Sequence, residues 1–406
     1  MKQNRASQNQ FEIKRLFYAP SVVACMLLLA AASAFSEYSI TELPTLGEAS
    51  LAQRINDKGQ IVGESFLFEG PPHAALWYRG TVIDLGTLGG EVSIANDINN
   101  RGQVTGNSQV ASGASRAFLW DNGVMLNIGT LGTAATFAFG INQNTEIAGF
   151  GRVGGAGTPF HAFKWHNGIF TDIGTLGGTE SFAYDINDHG CVVGESEVDP
   201  GIPGLTHAFV WCDGVMTDLG TLGGPVSAAN GINENDQIVG MSMTADFEFH
   251  AFSYEKGVMT DLGVLPGGHF SGAVGINARG QVVGINSPDP ANGLPRNAVL
   301  WYKSTATELP LLFGSQEGFA NDVNASGVIV GMSTDSLDRR HAVVWTPDKK
   351  IFTVAAEERL QERIHFPGHL PHSQSLSRIR PADSRGLQSA FPQRINQLKR
   401  SLRLKL

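Results

Sequence analysis

Charge, cysteine and helical patterning are all scarce in this chain. Charged residues are 17% of its 406 residues, against about a quarter in an ordinary soluble domain. The charge present has the wrong sign for nucleic acid. Residues 35–354 hold 15 Lys/Arg and 33 Asp/Glu, a net charge of −18, whereas phosphate backbones are bound by neutralising them with Lys and Arg. Cations or neutral sugars suit such a body better. Of three cysteines, Cys25 falls in the N-terminal apolar run. Cys191 and Cys212 remain, and no base is placed beside either to activate a catalytic thiol. The apolar run itself, Ser21–Ala34, stops short of the length of a membrane span.

That run follows Lys14 and Arg15 and closes on Ala32-Ser33-Ala34. A basic flank, a short apolar stretch and a small-x-small ending read as a secretory signal peptide over residues 1–34. The protein is therefore expected to be secreted, extracellular or periplasmic, with no transmembrane segment after cleavage. At the other end, residues 355–406 carry 10 Lys/Arg and 4 Asp/Glu with Pro367, Pro371, Pro381 and Pro392, the composition of a basic, disordered tail.

Between them lies a repeat. An Ile-Asn or Val-Asn pair with glycine seven residues after the asparagine recurs seven times, at Asn56, Asn99, Asn142, Asn187, Asn233, Asn277 and Asn324. Its spacing of 43 to 47 residues lies in the range of propeller blades. Each unit continues with a small-apolar strand ending in an aromatic, as in His207–Trp211. Four short strands per unit, a to d, follow from this. Strands so apolar on both faces must be sandwiched between other sheets. The expected fold is all-β: a seven-bladed β-propeller of four-stranded blades over residues 35–354, closed by sharing of terminal strands. Strand d occurs once too often, because Ile40–Leu43 precedes the first a-b-c set and Ile351–Val354 follows the last. The N-terminal copy is expected to complete the seventh blade, with Ile351–Val354 displaced or taking its place.

The recurring Asp-Leu/Ile-Gly-Thr-Leu-Gly-Gly, first at Asp84–Gly90, falls between strand d of one unit and strand a of the next. It lacks the Gly-x-Gly-x-x-Gly spacing, the following helix and the Gly-Lys-Ser/Thr ending of phosphate loops. We read it as a structural joint. Together with Ile-Asn-x-x-Gly-x-Val-x-Gly and His-Ala-Phe-x-Trp, it resembles the HAF family of extracellular bacterial repeats over roughly residues 38–354. That resemblance implies export and repetition rather than a chemistry.

The repeat histidines His73, His161, His207, His250 and His341 sit on different blades, too far apart for one zinc ion; each is expected to bond a nearby turn in its own blade. The strand-end aromatics are read as inter-blade packing. Setting Ser196 opposite His207 makes Cys191 and Cys212 direct opposites, which predicts a disulfide.

Function is expected where the repeats disagree, on the face formed by b–c loops and d–a crossings. The binding residues expected there are Phe68, Glu69, Asp199, Asp246, Phe247, Glu248, Phe249, Asp289, Asp335 and Asp338, with Glu91, Glu180, His269 and Glu317 from the crossings. Carboxylates with aromatics suit a sugar or cation site. The sequence thus reads as a monomeric, non-catalytic, secreted binding module for a glycan, a cation or a protein. Calcium is the one cofactor considered, with no catalytic residue and no metal ligand assigned. The alternative is an extracellular carbohydrate-active hydrolase or lyase using a pair of loop carboxylates.

Overall fold

A computed structural model describes residues 38–288 and 296–348. The signal segment, Ile351–Val354, the basic tail and Asp289 lie outside the described residues. Every regular element within them is a β-strand. The strands form antiparallel four-stranded sets in sequence order. Unit 4 is representative, with strand a at Ser181–Ile186, b at Val192–Glu197, c at Thr206–Cys212 and d at Val215–Asp218. Only the sets of units 5 and 6 merge, through one parallel pairing of Phe249 with Phe270.

The repeated residues explain themselves as joints between units. In unit 4, Asn187 turns the chain from a to b: its Oδ1 accepts the N–H of Cys191 at 3.0 Å, and Gly190 supplies the positive φ of 78°. Its Nδ2 then donates to the backbone oxygen of Asn233 in the next unit. The same bond runs from Asn56 to Asn99, Asn99 to Asn142, Asn142 to Asn187, Asn233 to Asn277 and Asn277 to Asn324. Asn324 donates to Asn56, which returns the series to its start. All seven asparagines are buried, where an unmade bond costs about 1–3 kcal/mol.

The glycine seven residues after each asparagine meets a steric limit. A Cβ on Gly194 would lie 1.9 Å from the carbonyl oxygen of Phe182, and the six equivalents would meet strand a at 1.9–2.0 Å. Strand a carries a β-bulge at this level, between Ala183 and Asp185 in unit 4. The bulge bends the strand against the glycine and re-aims the residue just before Ile/Val-Asn.

Three N–H groups of the crossing are spent within the protein. Gly86 N–H donates to Asp84, Leu88 N–H to Ser108 and Gly89 N–H to Thr87. Donors so engaged have nothing left for an anion, in keeping with a joint.

Unit 7 has strands at Gly318–Val323, Ile329–Thr334 and Arg340–Pro347. Its fourth strand is Tyr38–Glu42, paired antiparallel with the third so that Ser39 opposes Thr346 and Glu42 opposes Val343. The core lies between units. Ala52, Ile55, Ile61, Ala75 and Trp77 of unit 1 share one apolar cluster with Val330 and Ala342 of unit 7. Trp77 and Trp345 are almost wholly buried, and their indole N–H groups reach Pro44 O and Pro310 O. Cys191 and Cys212 form a disulfide across strands b and c of unit 4, with Cα atoms 4.5 Å apart.

Candidate functional site

The bulge in strand a places one residue per unit beside its neighbours' turns. These positions read Arg54, Asp97, Gly140, Asp185, Gly231, Gly275 and Asp322. Each aspartate bonds the unit that follows: Asp97 accepts the N–H of Ile141 at 2.7 Å, Asp185 that of Ile232 at 3.0 Å and Asp322 that of Ile55 at 2.9 Å. Arg54 lies 4.0 Å from Asp97 and also interacts with Asp322 and Asp185. Its own unit is the first, while the aspartates belong to the second, fourth and seventh. Side chains from units so far apart in sequence meet as they would around a common axis.

Burial raises the pKa of all three aspartates, with Arg54 opposing the rise. Burial lowers that of Arg54, but the carboxylates outweigh it and raise it overall. One cation thus faces three buried carboxyls. The sign of the linkage follows: the folded state keeps protons that the unfolded chain releases as pH rises above the ordinary carboxylate range, so stability is lost across that rise. Below that range the lowered carboxyls, such as Glu146 and Glu197, act in the opposite sense. Scanning calorimetry is expected to give a Tm a few degrees higher at pH 5 than at pH 8. A Tm that rises steadily over that interval would contradict the axial arrangement.

The repeat histidines have a fixed partner that differs from the expectation. Instead of a nearby turn, Nδ1 of His73, His161, His207 and His250 meets the aspartate eleven residues on, Asp84, Asp172, Asp218 or Asp261, at 2.8–2.9 Å. His341 meets Glu42 on the N-terminal strand at 2.7 Å. The four aspartates lie at or near the end of strand d and accept the N–H of the glycine two residues on, as Asp84 does from Gly86. Burial raises the pKa of Asp84, but the bonds from His73 and Gly86 outweigh it and hold it below the usual carboxylate range. The pair pins each crossing to strand c. Units 2 and 6 lack both members, with Arg116 and Asn127 in one and Asn297 and Glu308 in the other.

The loop face shows a division among the expected binding residues. Phe68 is 76% exposed and Phe247 57%. Phe249 must be withdrawn: it is buried among Val226, Ala228, Met241 and Met243, because strand alternation turns it inward while the neighbouring, half-buried His250 faces the other way. Several acids build their own turns. Asp199 accepts the N–H of Gly201 at 2.7 Å, and Asp335 accepts those of Leu337 and Arg339 while pairing with the Arg339 guanidinium and His341. Glu69 and Asp338 occupy left-handed turn positions with φ of 52° and 59°.

Unit 5 differs. Its b–c loop places exposed Asp246 and Phe247 beside Glu248, which lies 3.0 Å from His269 of the following crossing and 3.8 Å from Nε2 of His250. That Nε2 is buried with no hydrogen-bond partner, while Asp261 holds Nδ1. The loop therefore offers a carboxylate, two imidazoles and an aromatic within one turn and one crossing. Among the described residues, no group of three or more His, Cys, Asp or Glu is arranged to hold a metal ion.

No family model matches the chain, and no curated protein is similar to it in sequence. Solved structures do match in shape. A puromycin-hydrolysing peptidase of Mycobacterium tuberculosis superposes with a TM-score of 0.52 at 10% identity, over 76% of this chain and 55% of that one. An acylaminoacyl peptidase of Pyrococcus horikoshii gives 0.48 at 12% identity, over 73% and 51%. The β-propeller domain of the Trilobed protease from Pyrococcus furiosus gives 0.47 at 10% identity, over 76% of this chain and all of that domain. The match spans little more than half of each peptidase. At such identities the likeness is one of fold alone.

Proposed function

We propose that the protein is an exported, HAF-type binding module: a seven-bladed β-propeller, closed by its N-terminal strand, that engages a glycan through its b–c and d–a loop face. Seven asparagine bonds that return to their start and the pairing of Tyr38–Glu42 with Arg340–Pro347 support the closed ring. Export is read from residues 1–34 and fits the disulfide. Among the described residues, no helix is long and apolar enough to cross a membrane.

The observation that carries the binding function is Phe247. A large aromatic stands 57% exposed on a backbone with φ of 64°, a conformation that costs a residue with a Cβ roughly 1–2 kcal/mol. Exposure and strain together mark a side chain kept for contact rather than folding. The hydrolase or lyase alternative draws no comparable support, since Asp199 and Asp335 are engaged in their own turns.

A glycan array, run with and without calcium, tests the reading. Phe247→Gly is expected to abolish the captured signal while leaving Tm unchanged or slightly raised, because glycine relieves the turn. The double change Asp246→Asn with Glu248→Gln is expected to weaken capture about tenfold, the value of one charge-assisted contact. Capture that survives both variants would exclude this loop.

A further inference from the structure

The a–b turns lie on the face opposite the b–c loops, because antiparallel strands alternate in direction. Neighbouring turns are bonded directly to one another. Besides the asparagine bonds, Asp57 N–H donates to Asn100 at 2.9 Å, Gln143 N–H to Asp188 at 2.7 Å and Asp188 N–H to Glu234 at 2.9 Å. Ala325 N–H donates to Asp57 at 2.9 Å. The order of charges along this face is therefore set by hydrogen bonds from turn to turn.

Those charges fall into two opposed arcs. At the turn tips, two residues after each asparagine, units 6, 7, 1 and 2 carry Arg279, Ser326, Lys58 and Arg101. The one acid in these four turns, Asp57, is tied along the ring by Ala325 N–H and Asn100 Nδ2. Lys58 and Arg101 are exposed, and their side chains make no hydrogen bond or ion pair with any described residue. The turns of units 3, 4 and 5 instead hold Glu146, Asp188, Glu234 and Asp236, with no Lys or Arg. Lys164 meets Glu146 at 3.1 Å and His189 meets Asp236 at 3.0 Å; Asp188 and Glu234 have no ion pair among the described residues. Exposed Asp213, in the c–d turn of unit 4, adds to the same side. In a ring of seven, the middle of the basic arc, between units 7 and 1, lies opposite unit 4. Just beyond the c–d turns of units 2 to 5, Val124, Ile169, Val215 and Val258 stand 55–69% exposed, so the rim of this face also offers apolar contact.

We infer that the a–b turn face binds a second copy of the chain, in a two-fold contact that sets the basic arc of each copy against the acidic arc of the other. A face with opposed arcs is its own complement. A two-fold axis lying in the face, at right angles to the line joining the arcs, brings each arc over its opposite in both directions at once. A partner of one sign matches half of the face and is repelled by the other half. The basic segment 355–406 is such a partner, fitting the acidic arc alone. This inference departs from the monomer expected from the sequence. It rests on the closed ring of the reading above, but not on the glycan site. The b–c loop face of each copy stays free and points away from the contact, so the dimer presents two binding faces and gains avidity on a repetitive ligand.

Sedimentation of the full chain at about 0.05 M and about 0.5 M salt tests it, since exposed charges are screened at the higher value. A dimer is expected at low salt, with its dissociation constant raised about tenfold or more at high salt. Lys58→Glu with Arg101→Glu should give a folded monomer, as judged by Tm. So should Asp213→Lys with Glu234→Lys; Lys256 and Lys303 already stand at the turn position of Asp213, with the same left-handed backbone. An equimolar mixture of the two double variants should regain a dimer, because each then carries one sign across the contact. Wild type that stays monomeric at low salt overturns the contact; if a Ser39→Cys, Thr346→Cys disulfide still forms, the ring stands without it. A dimer unaffected by either double variant, or a mixture that remains monomeric, overturns it too. Cross-links from Glu234 or Asp213 to Lys399 or Lys405 within a monomer would assign the acidic arc to the basic segment instead.

Discussion

Arg54→Met is expected to destabilise the protein by about 3–5 kcal/mol near neutral pH, the cost of leaving buried charge without its partner. The arginine is the cation shared by Asp97, Asp185 and Asp322, and each of these also holds a backbone N–H of the following unit. Without it, the carboxylates must take up protons or draw water into the axis, and either change loosens the bonds between units. The loss should shrink near pH 5, where the aspartates hold protons of their own. Adding Asp97→Asn should recover part of it, since removing one carboxyl relieves the remaining two. Urea unfolding of the single and double variants at both pH values reads these effects. An Arg54→Met midpoint equal to that of wild type at pH 7.5 would mean that the axis is already hydrated and the charges are screened.

The second large effect is expected from Gly194→Ala. The added methyl would stand 1.9 Å from Phe182 O, a contact with backbone that no rotamer change relieves. Either strand a moves away, breaking its pairing with strand b at the bulge, or strand b slips and carries Val192 and Val193 out of the clusters on the two sides of the sheet. The expected cost is about 3 kcal/mol or more, at the upper end of overpacking effects. Alanine at Gly214, where nothing lies within 4 Å but φ is 86°, should cost only about 1 kcal/mol. Equal losses at the two sites would show that backbone conformation, and not the close approach, selects glycine in strand b.

Much of this architecture was legible because its causes are local and repeated. The Asn-x-x-Gly turn, the alternation in strand c and the register that sets Ser196 opposite His207 all follow from spacing. The histidine partners were missed, although the signal was present: four His-to-Asp pairs share one separation of eleven residues, and the two units lacking the histidine also lack the aspartate. Asp97, Asp185 and Asp322 were missed for a different reason. Their meaning depends on Arg54, a single residue far away in sequence, and neither periodicity nor spacing encodes such a meeting. Phe249 was misplaced because a loop aromatic and the first inward residue of the next strand look alike until the register is known.

The proposed closure of the ring by the N-terminal strand would account for the shared core of units 1 and 7, the His341–Glu42 pair and the meeting of Arg54 with Asp97, Asp185 and Asp322. The most direct test replaces Ser39 and Thr346, which oppose one another across the two end strands, with cysteine. The account predicts that the oxidised double variant forms an intramolecular disulfide, seen as a compact monomer on non-reducing gels and as a linked peptide pair by mass spectrometry. Free thiols at both positions, or linkage only between separate molecules, would contradict it.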